Sequence, residues 1–200
     1  MTPSRSADRG DDRSVAILFA SCYGHTRRYA DWLTEQLQAT GCTVRLIDAG
    51  AAEDPVGLLA GAEGILDVII GLGGNYGGSV QGMGAFADAV RARPDARALF
   101  ATVAWASPTQ TETIRKLHEK AIPADIAPRV TAFHLRGGID HPRLSLKHRT
   151  KMLALKTYLM SKPESARTED DRETLQFWGQ TKDFTDPAAL EPIVAAALAE

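Results

Sequence analysis

Small and hydroxyl-bearing residues follow the first apolar stretch of the chain. Residues 15–20 are apolar at every position, and the next six are Ser21, Cys22, Tyr23, Gly24, His25 and Thr26. Backbone N–H groups at the start of a helix point outward, and the helix dipole favours an anion there. The Ser21 and Thr26 hydroxyls add donors, and Gly24 lets the backbone approach a ligand closely. The segment therefore indicates either a phosphate site without a lysine or a capped helix after a tight turn.

Two later segments add aromatic side chains to this chemistry. Residues 71–84 contain seven glycines, and among them lie Gly74, Asn75, Tyr76 and Gly77. Glycine lets a backbone lie against a flat ligand, and a tyrosine ring can stack on an aromatic one. The other segment contains Trp105 and Ala106. In isolation, a mobile loop and a packed tryptophan are the more common explanations, but both segments follow strands of one predicted sheet.

Alternating strands and helices must position these three segments. Apolar runs predict strands at residues 15–20, 43–48, 67–71, 98–105 and 129–135. Helical spacing and capping residues predict helices at residues 26–40, 55–62, up to Arg93, and from Ser107 and Pro108 to about residue 121. This alternation is typical of an α/β parallel sheet with helices on both faces. In such a sheet, ligands bind beyond the carboxyl ends of the strands.

Composition excludes several classes of function. The 200 residues include 23 Lys+Arg and 25 Asp+Glu, so the net charge of -2 argues against a dedicated nucleic-acid binder. No apolar run reaches the roughly 18–20 residues of a membrane span, and the first 13 residues lack the apolar core of a secretory signal. We therefore expect a cytoplasmic protein with free thiols and a disordered tail at residues 1–13. The five histidines show no spacing typical of a zinc site.

Taken together, the three segments resemble the FMN site of flavodoxins. This resemblance implies a doubly wound, five-stranded sheet of order 2-1-3-4-5 within a single domain at residues 14–200. It also implies phosphate contacts from Ser21, Tyr23, Gly24, His25 and Thr26. It implies that Gly74, Asn75, Tyr76 and Gly77 hold one face of the flavin ring, with Trp105 and Ala106 on the other side. Tyr23 departs from the family, which usually has Thr or Ser at that position.

A long polar segment, residues 136–186, separates the fifth strand from a last helix that begins at Asp186 and Pro187. We call it the insert. Its layout resembles the menaquinone-dependent protoporphyrinogen dehydrogenase branch of the flavodoxin-like proteins. Residues 136–156 carry six basic residues and one acidic residue, whereas residues 164–173 carry five acids and two arginines. Residues 145–160 are predicted to be a helix that packs on the sheet domain or on a second subunit, with peripheral membrane contact as the alternative.

Three functions follow from the resemblance. The first is an FMN-dependent oxidoreductase that passes electrons from an organic donor, with a porphyrinogen as one candidate, to a quinone or a similar acceptor. The second is a one-electron carrier for protein partners, and the third is a binding module that has lost the flavin. A carrier steers its partners with a strongly acidic surface, which a net charge of -2 does not favour. We therefore expect the oxidoreductase.

Overall fold

The computed structural model describes residues 13–60 and 66–199. The predicted disordered tail lies outside the described residues except for Arg13, and so does the end of the helix predicted at 55–62. The Arg13 guanidinium donates to the carbonyl of Ala197 at 2.9 Å. The first described residue is thus attached to the C-terminal helix.

A parallel sheet forms the centre of the domain. Its strands are β1 (Ser14–Ala20), β2 (Thr43–Asp48), β3 (Val68–Tyr76), β4 (Ser79–Val80), β5 (Arg97–Ala104) and β6 (Val130–Arg136). The five long strands lie parallel in the order β2-β1-β3-β5-β6, and the short β4 pairs antiparallel with the end of β3. Apart from this short hairpin, the order is the predicted 2-1-3-4-5. The predicted fold class is confirmed.

Helices cover both faces of the sheet. In chain order they are α1 (His25–Ala39), α2 (Gly57–Ala60), α3 (Met83–Ala92), α4 (Thr111–Ala121), α5 (Leu146–Ser161), α6 (Glu169–Gln176) and α7 (Glu191–Leu198). Successive strand residues point to opposite faces. Ile17 therefore packs in one core with Leu33 of α1 and Ile193 of α7, whereas Leu18 packs in the other with Phe86 of α3. Burial on both faces explains why β1 is apolar at every position.

The insert adds helices and a separate two-stranded sheet. It contains α5 and α6, and its strands β7 (Gly138–Asp140) and β8 (Thr181–Asp183) pair antiparallel. The Ser145 hydroxyl caps α5 by accepting the N–H of His148 at 3.3 Å. The helix predicted at residues 145–160 is confirmed.

Helix α5 presents two different faces. Leu159 is buried, and Met152 is half-buried. On the other side, Leu146, Leu153 and Met160 are 81%, 60% and 60% exposed. One face of α5 thus packs on its own domain, as predicted, and the other is open.

Three predicted boundaries were wrong. The last helix was predicted to begin at Asp186 and Pro187, but a 3₁₀ turn occupies Pro187–Leu190 and α7 begins at Glu191. Helix α4 begins at Thr111 after Gln110, whereas we predicted a start at Ser107. The Ser107 hydroxyl instead bonds the Thr109 hydroxyl at 2.9 Å within a turn. The third strand was predicted to end at Gly71, but β3 continues to Tyr76.

Close packing explains the glycines inside β3. A Cβ atom on Gly71 would lie 2.5 Å from Cδ2 of Phe100, and one on Gly73 would lie 2.5 Å from Cγ1 of Val80. These glycines let neighbouring side chains approach the strand, a role that differs from the loop flexibility usually associated with glycine.

No helix within residues 13–60 and 66–199 is long and apolar enough to cross a membrane.

Candidate functional site

The three predicted segments meet around one cavity at the carboxyl edge of the sheet. The cavity has a volume of about 640 Å³, within the range of roughly 300–1,000 Å³ usual for small-molecule sites. Eight of the eleven predicted site residues line it: Tyr23, His25, Thr26, Asn75, Tyr76, Gly77, Trp105 and Ala106. Ser21, Gly24 and Gly74 belong to the same segments without lining it. The topology therefore brings residues that are distant in sequence to one place.

The loop between β1 and α1 has the backbone shape of an anion site. Gly24 precedes α1 with a φ of 96°, a left-handed conformation that favours glycine. The Ser21 hydroxyl accepts the N–H of Gly24 at 3.0 Å and holds the turn. Thr26, in the first turn of α1, is fully buried. The loop thus offers a helix start and a buried hydroxyl to a ligand.

Three buried polar atoms at the cavity lack a hydrogen-bond partner. They are Oγ1 of Thr26, Oδ1 of Asn75 and Nε1 of Trp105. Every other buried side-chain N or O atom of the described residues has a hydrogen-bond partner. A buried polar atom left unpaired costs about 1–3 kcal/mol. Each atom comes from a different predicted segment, and all three residues line the cavity. A polar ligand that spans the cavity would satisfy them.

Tyr76 connects the first two segments. Its hydroxyl accepts the N–H of Cys22 at 3.2 Å. Its ring stacks on the imidazole of His148, with centroids 5.4 Å apart and planes inclined by 15°. Burial raises the pKa of Tyr76, so the hydroxyl keeps its proton. The predicted phosphate-binding loop and the predicted ring-binding segment are therefore in direct contact.

The insert engages two of the predicted phosphate-binding side chains. The Tyr23 hydroxyl lies 2.5 Å from Nδ1 of His148 and accepts the N–H of Ser145 at 3.1 Å. Nε2 of His25 lies 3.9 Å from the Asp183 carboxylate, and burial lowers the pKa of His25. Tyr23 and His25 thus contact the insert through their side chains. The Tyr23 ring carries its hydroxyl as far as the insert, which a serine or threonine hydroxyl at this position would not reach.

Hydrogen bonds fix the segment that carries Trp105. The carbonyl of Ala106 lies 2.9 Å from Nε2 of His134, and the Asp170 carboxylate accepts the N–H of Ser107 at 3.3 Å. Nε of Arg136 donates to the Trp105 carbonyl at 3.4 Å. Burial raises the pKa of Asp170. Strand β6 and helix α6 therefore position this wall of the cavity.

Cys22 behaves as a small loop residue. It is a free, exposed cysteine. A helix start can lower the pKa of a thiol, but here burial raises the pKa of Cys22.

The cavity wall opposite the sheet was not predicted from the sequence. It consists of residues from α4, α5 and α6, among them Leu117, Lys120, His148, Lys151, Met152, Leu155 and Asp170. The one signal for it was the predicted packing of the helix at residues 145–160 on the sheet domain. The insert therefore covers the site instead of extending away from it.

Comparison with known protein families decides the assignment. Residues 16–165 match the flavodoxin domain family. The chain belongs to this family. Flavodoxin domains bind FMN, and FMN is the cofactor of this flavodoxin domain. The role that follows is flavin-dependent electron transfer.

Solved structures match the chain at low sequence identity. Rubredoxin oxygen:oxidoreductase from Desulfovibrio gigas is 14% identical with a TM-score of 0.46, and the match covers 95% of this chain and 38% of that one. A flavodoxin mutant from Pseudomonas aeruginosa is 18% identical with a TM-score of 0.37, over 72% of this chain and 95% of that one. The chain thus spans about two fifths of the Desulfovibrio protein. A search of the curated proteins finds no match.

The residues present fit FMN. Thr26 and the start of α1 suit its phosphate, and the unpaired atoms of Asn75 and Trp105 suit the polar edge of its ring system. Bound FMN supplies the electron transfer, and the protein supplies position and electrostatics.

Proposed function

We propose that this flavodoxin domain is an FMN-dependent oxidoreductase whose organic substrate enters the cavity beneath the insert. The observation that carries the proposal is the wall formed by α4, α5 and α6 over the carboxyl edge of the sheet. A protein partner needs an open face on a carrier, whereas a covered cavity admits a small molecule. The cavity favours an enzyme over a carrier for this reason.

Charge supports the same choice. Electron carriers gain fast association from a strong single-signed field. This chain has a net charge of -2, and the cavity wall contributes Lys116, Lys120 and Lys151. The one-electron carrier is therefore the less favoured use of the fold, and the three unpaired polar atoms argue against a module that has lost its flavin.

The layout of the insert supports a porphyrinogen as the candidate donor and a quinone as the candidate acceptor. Such a donor gives up two electrons and two protons for each bond that is desaturated. A quinone takes up the same two electrons and two protons to become a quinol. The resemblance to the menaquinone-dependent protoporphyrinogen dehydrogenase branch motivates this pair.

Anaerobic reduction tests the proposed reaction. FMN-loaded protein is mixed with a porphyrinogen or with a quinol, and the flavin absorbance is followed. Bleaching by the porphyrinogen, followed by recovery on addition of quinone, supports the proposal. FMN-loaded protein that neither compound reduces, but that a reduced electron-transfer protein bleaches, would support the carrier instead.

Peripheral membrane contact through residues 136–160 stays a proposal, as does a homo-oligomer. The exposed line of Leu146, Leu153 and Met160 on α5, close to several basic residues, supports such a contact. Cosedimentation with vesicles of anionic phospholipid at low salt supports membrane contact, and its absence at low salt rejects it. Light scattering of the same sample gives the oligomeric state.

A further inference from the structure

Two lysines from different helices converge on one glycine turn beside the cavity. Gly77 and Gly78 form the turn between β3 and β4 with φ values of 62° and 80°. Nζ of Lys151, on α5, lies 3.2 Å from the position of a Cβ atom on Gly77. Nζ of Lys120, on α4, lies 3.5 Å from the corresponding position on Gly78. Each of the two adjacent glycines thus has one ammonium group beside it.

The glycines of this turn leave space for the lysine side chains. A Cβ atom on Gly77 would also lie 2.8 Å from Cδ of Lys151, so a side chain there would displace the stem of the lysine. Glycine at this position adopts the left-handed backbone conformation and leaves space for the lysine side chain. Both lysines and both glycines line the cavity.

Neither lysine is neutralised within the described part of the chain. No carboxylate of residues 13–60 or 66–199 lies within 4.0 Å of Nζ of Lys120 or Lys151, whereas neighbouring Lys116 pairs with Glu112 at 3.3 Å. The two carboxylates that line the cavity have other partners. Asp140 accepts the Thr181 hydroxyl at 3.1 Å, and Asp170 accepts the N–H of Ser107. Both lysines are exposed, so an anionic ligand in the cavity can pair with their ammonium groups without displacing a carboxylate.

The wall beside the lysines is apolar. Ile114 and Leu117 of α4 and Met152 and Leu155 of α5 line the cavity between the helices. A ligand that satisfies this wall combines an apolar body with one anionic end. The FMN phosphate has a different place, at the loop before α1.

We propose that this lysine site, formed by Lys120 and Lys151, binds the carboxylate or sulfonate of an apolar organic acid whose body packs on Leu117, Met152 and Leu155. The inference rests on the proposed function and names its substrate class. The alternative source of the anion is the cofactor phosphate, and the experiment separates the two.

Equilibrium dialysis of the FMN-loaded protein tests the site with two matched probes. Anilinonaphthalenesulfonate is an apolar anion, and phenylnaphthylamine has the same rings without the sulfonate. We expect the anion to bind more tightly and its affinity to fall with added salt. Lys120→Gln and Lys151→Gln should each weaken anion binding about fivefold, and the double variant more than tenfold. Binding of the neutral probe should stay within twofold.

Lys147→Gln is the matched control because Lys147 lies on α5, is exposed and does not line the cavity. An unchanged anion affinity in the double variant would overturn the lysine site. An equal loss of affinity for the neutral probe in the double variant would also overturn it. A loss of FMN affinity would overturn it as well, because it would assign the lysines to the cofactor phosphate. Wild-type protein that takes up no FMN overturns the proposed function alone, and the two probes then judge the lysine site on the FMN-free protein.

Discussion

At the scale of single residues, three unpaired atoms identify the site most directly. Oγ1 of Thr26, Oδ1 of Asn75 and Nε1 of Trp105 are buried without partners at one cavity. Native proteins leave few such atoms, and each calls for an explanation. FMN provides one, because its phosphate and ring edge carry the complementary polar groups.

Removal of the Thr26 hydroxyl should weaken FMN binding. We expect Thr26→Ala to lower the affinity about fivefold to tenfold because one hydrogen bond to the phosphate is lost. Thr26→Ser keeps the hydroxyl and should stay within twofold of the wild type. Quenching of flavin fluorescence gives both dissociation constants. Equal affinities for all three proteins would refute the phosphate assignment.

Tyr76 should contribute to FMN binding through its ring more than through its hydroxyl. In the structure, the hydroxyl holds the Cys22 N–H, which a phosphate would otherwise use. We therefore expect Tyr76→Phe to bind FMN at least as tightly as the wild type, and Tyr76→Ala to bind it about tenfold more weakly because stacking is lost. The same fluorescence titration measures both. A weaker Phe variant together with an unchanged Ala variant would contradict this division.

Two histidines should make the fold sensitive to acid. The fully buried Thr102 hydroxyl lies 3.0 Å from Nε2 of His118 and 3.0 Å from Nδ1 of His134. Burial is the largest cause that lowers the pKa of each histidine. The folded state therefore binds protons at these histidines less readily than the unfolded chain, which protonates near pH 6.5. The stability linked to the two lowered pKa values is fully present above about pH 6.5 and is lost as the pH falls below it.

Urea unfolding at several pH values measures this effect. As the pH is lowered from about 6.5, the free energy of unfolding should decrease. The decrease should be at most about 1.4 kcal/mol per pH unit for each histidine. His134→Gln should flatten the dependence because one of the two linked protons is removed. A variant with the same slope as the wild type would show that His134 is not linked to folding.

At the scale of elements, an ion pair joins the insert to the sheet. The Arg136 guanidinium, at the end of β6, pairs with Glu173 of α6 and lies 3.8 Å from the centroid of the Phe184 ring. Both charged side chains are 22% exposed. Loss of one partner leaves a partly buried charge unpaired, which costs more than loss of a surface pair.

Glu173→Gln should lower the free energy of unfolding by about 1–3 kcal/mol and weaken FMN binding, because Arg136 also bonds the Trp105 carbonyl. Chemical unfolding and FMN titration measure the two effects. Glu112→Gln removes a well-exposed partner of Arg115 and is the control, with no measurable change expected. A Glu173 variant that behaves like this control would show that the Arg136–Glu173 pair does not position the site.

Sequence patterns predicted the elements better than the contacts between them. The apolar run at residues 15–20 indicated β1 because a strand buried on both faces has no polar position. The extent of β3 was underestimated because glycines usually interrupt strands, whereas Gly71 and Gly73 make room for Phe100 and Val80. The roles of Tyr23 and His148 could not be predicted, since their contact depends on how the insert folds back.

At the scale of the whole molecule, the near-neutral net charge is the sum of paired and unpaired charged side chains. Part of the basic and acidic content of the insert pairs internally, as between Lys162 and Asp171 at 2.8 Å. Lys120 and Lys151 lie beside the cavity, and neither forms an ion pair with a carboxylate of the described residues. The sheet provides the predicted cofactor loops, and α4 and the insert cover them with an apolar, partly basic wall. This arrangement suits a small substrate.

Whether this domain binds FMN is tested most directly by the visible absorbance spectrum of the purified protein, recorded before and after addition of FMN and gel filtration. We expect flavin absorbance that elutes with the protein at about one FMN per chain. A folded but colourless protein that still carries no FMN after this treatment would contradict it.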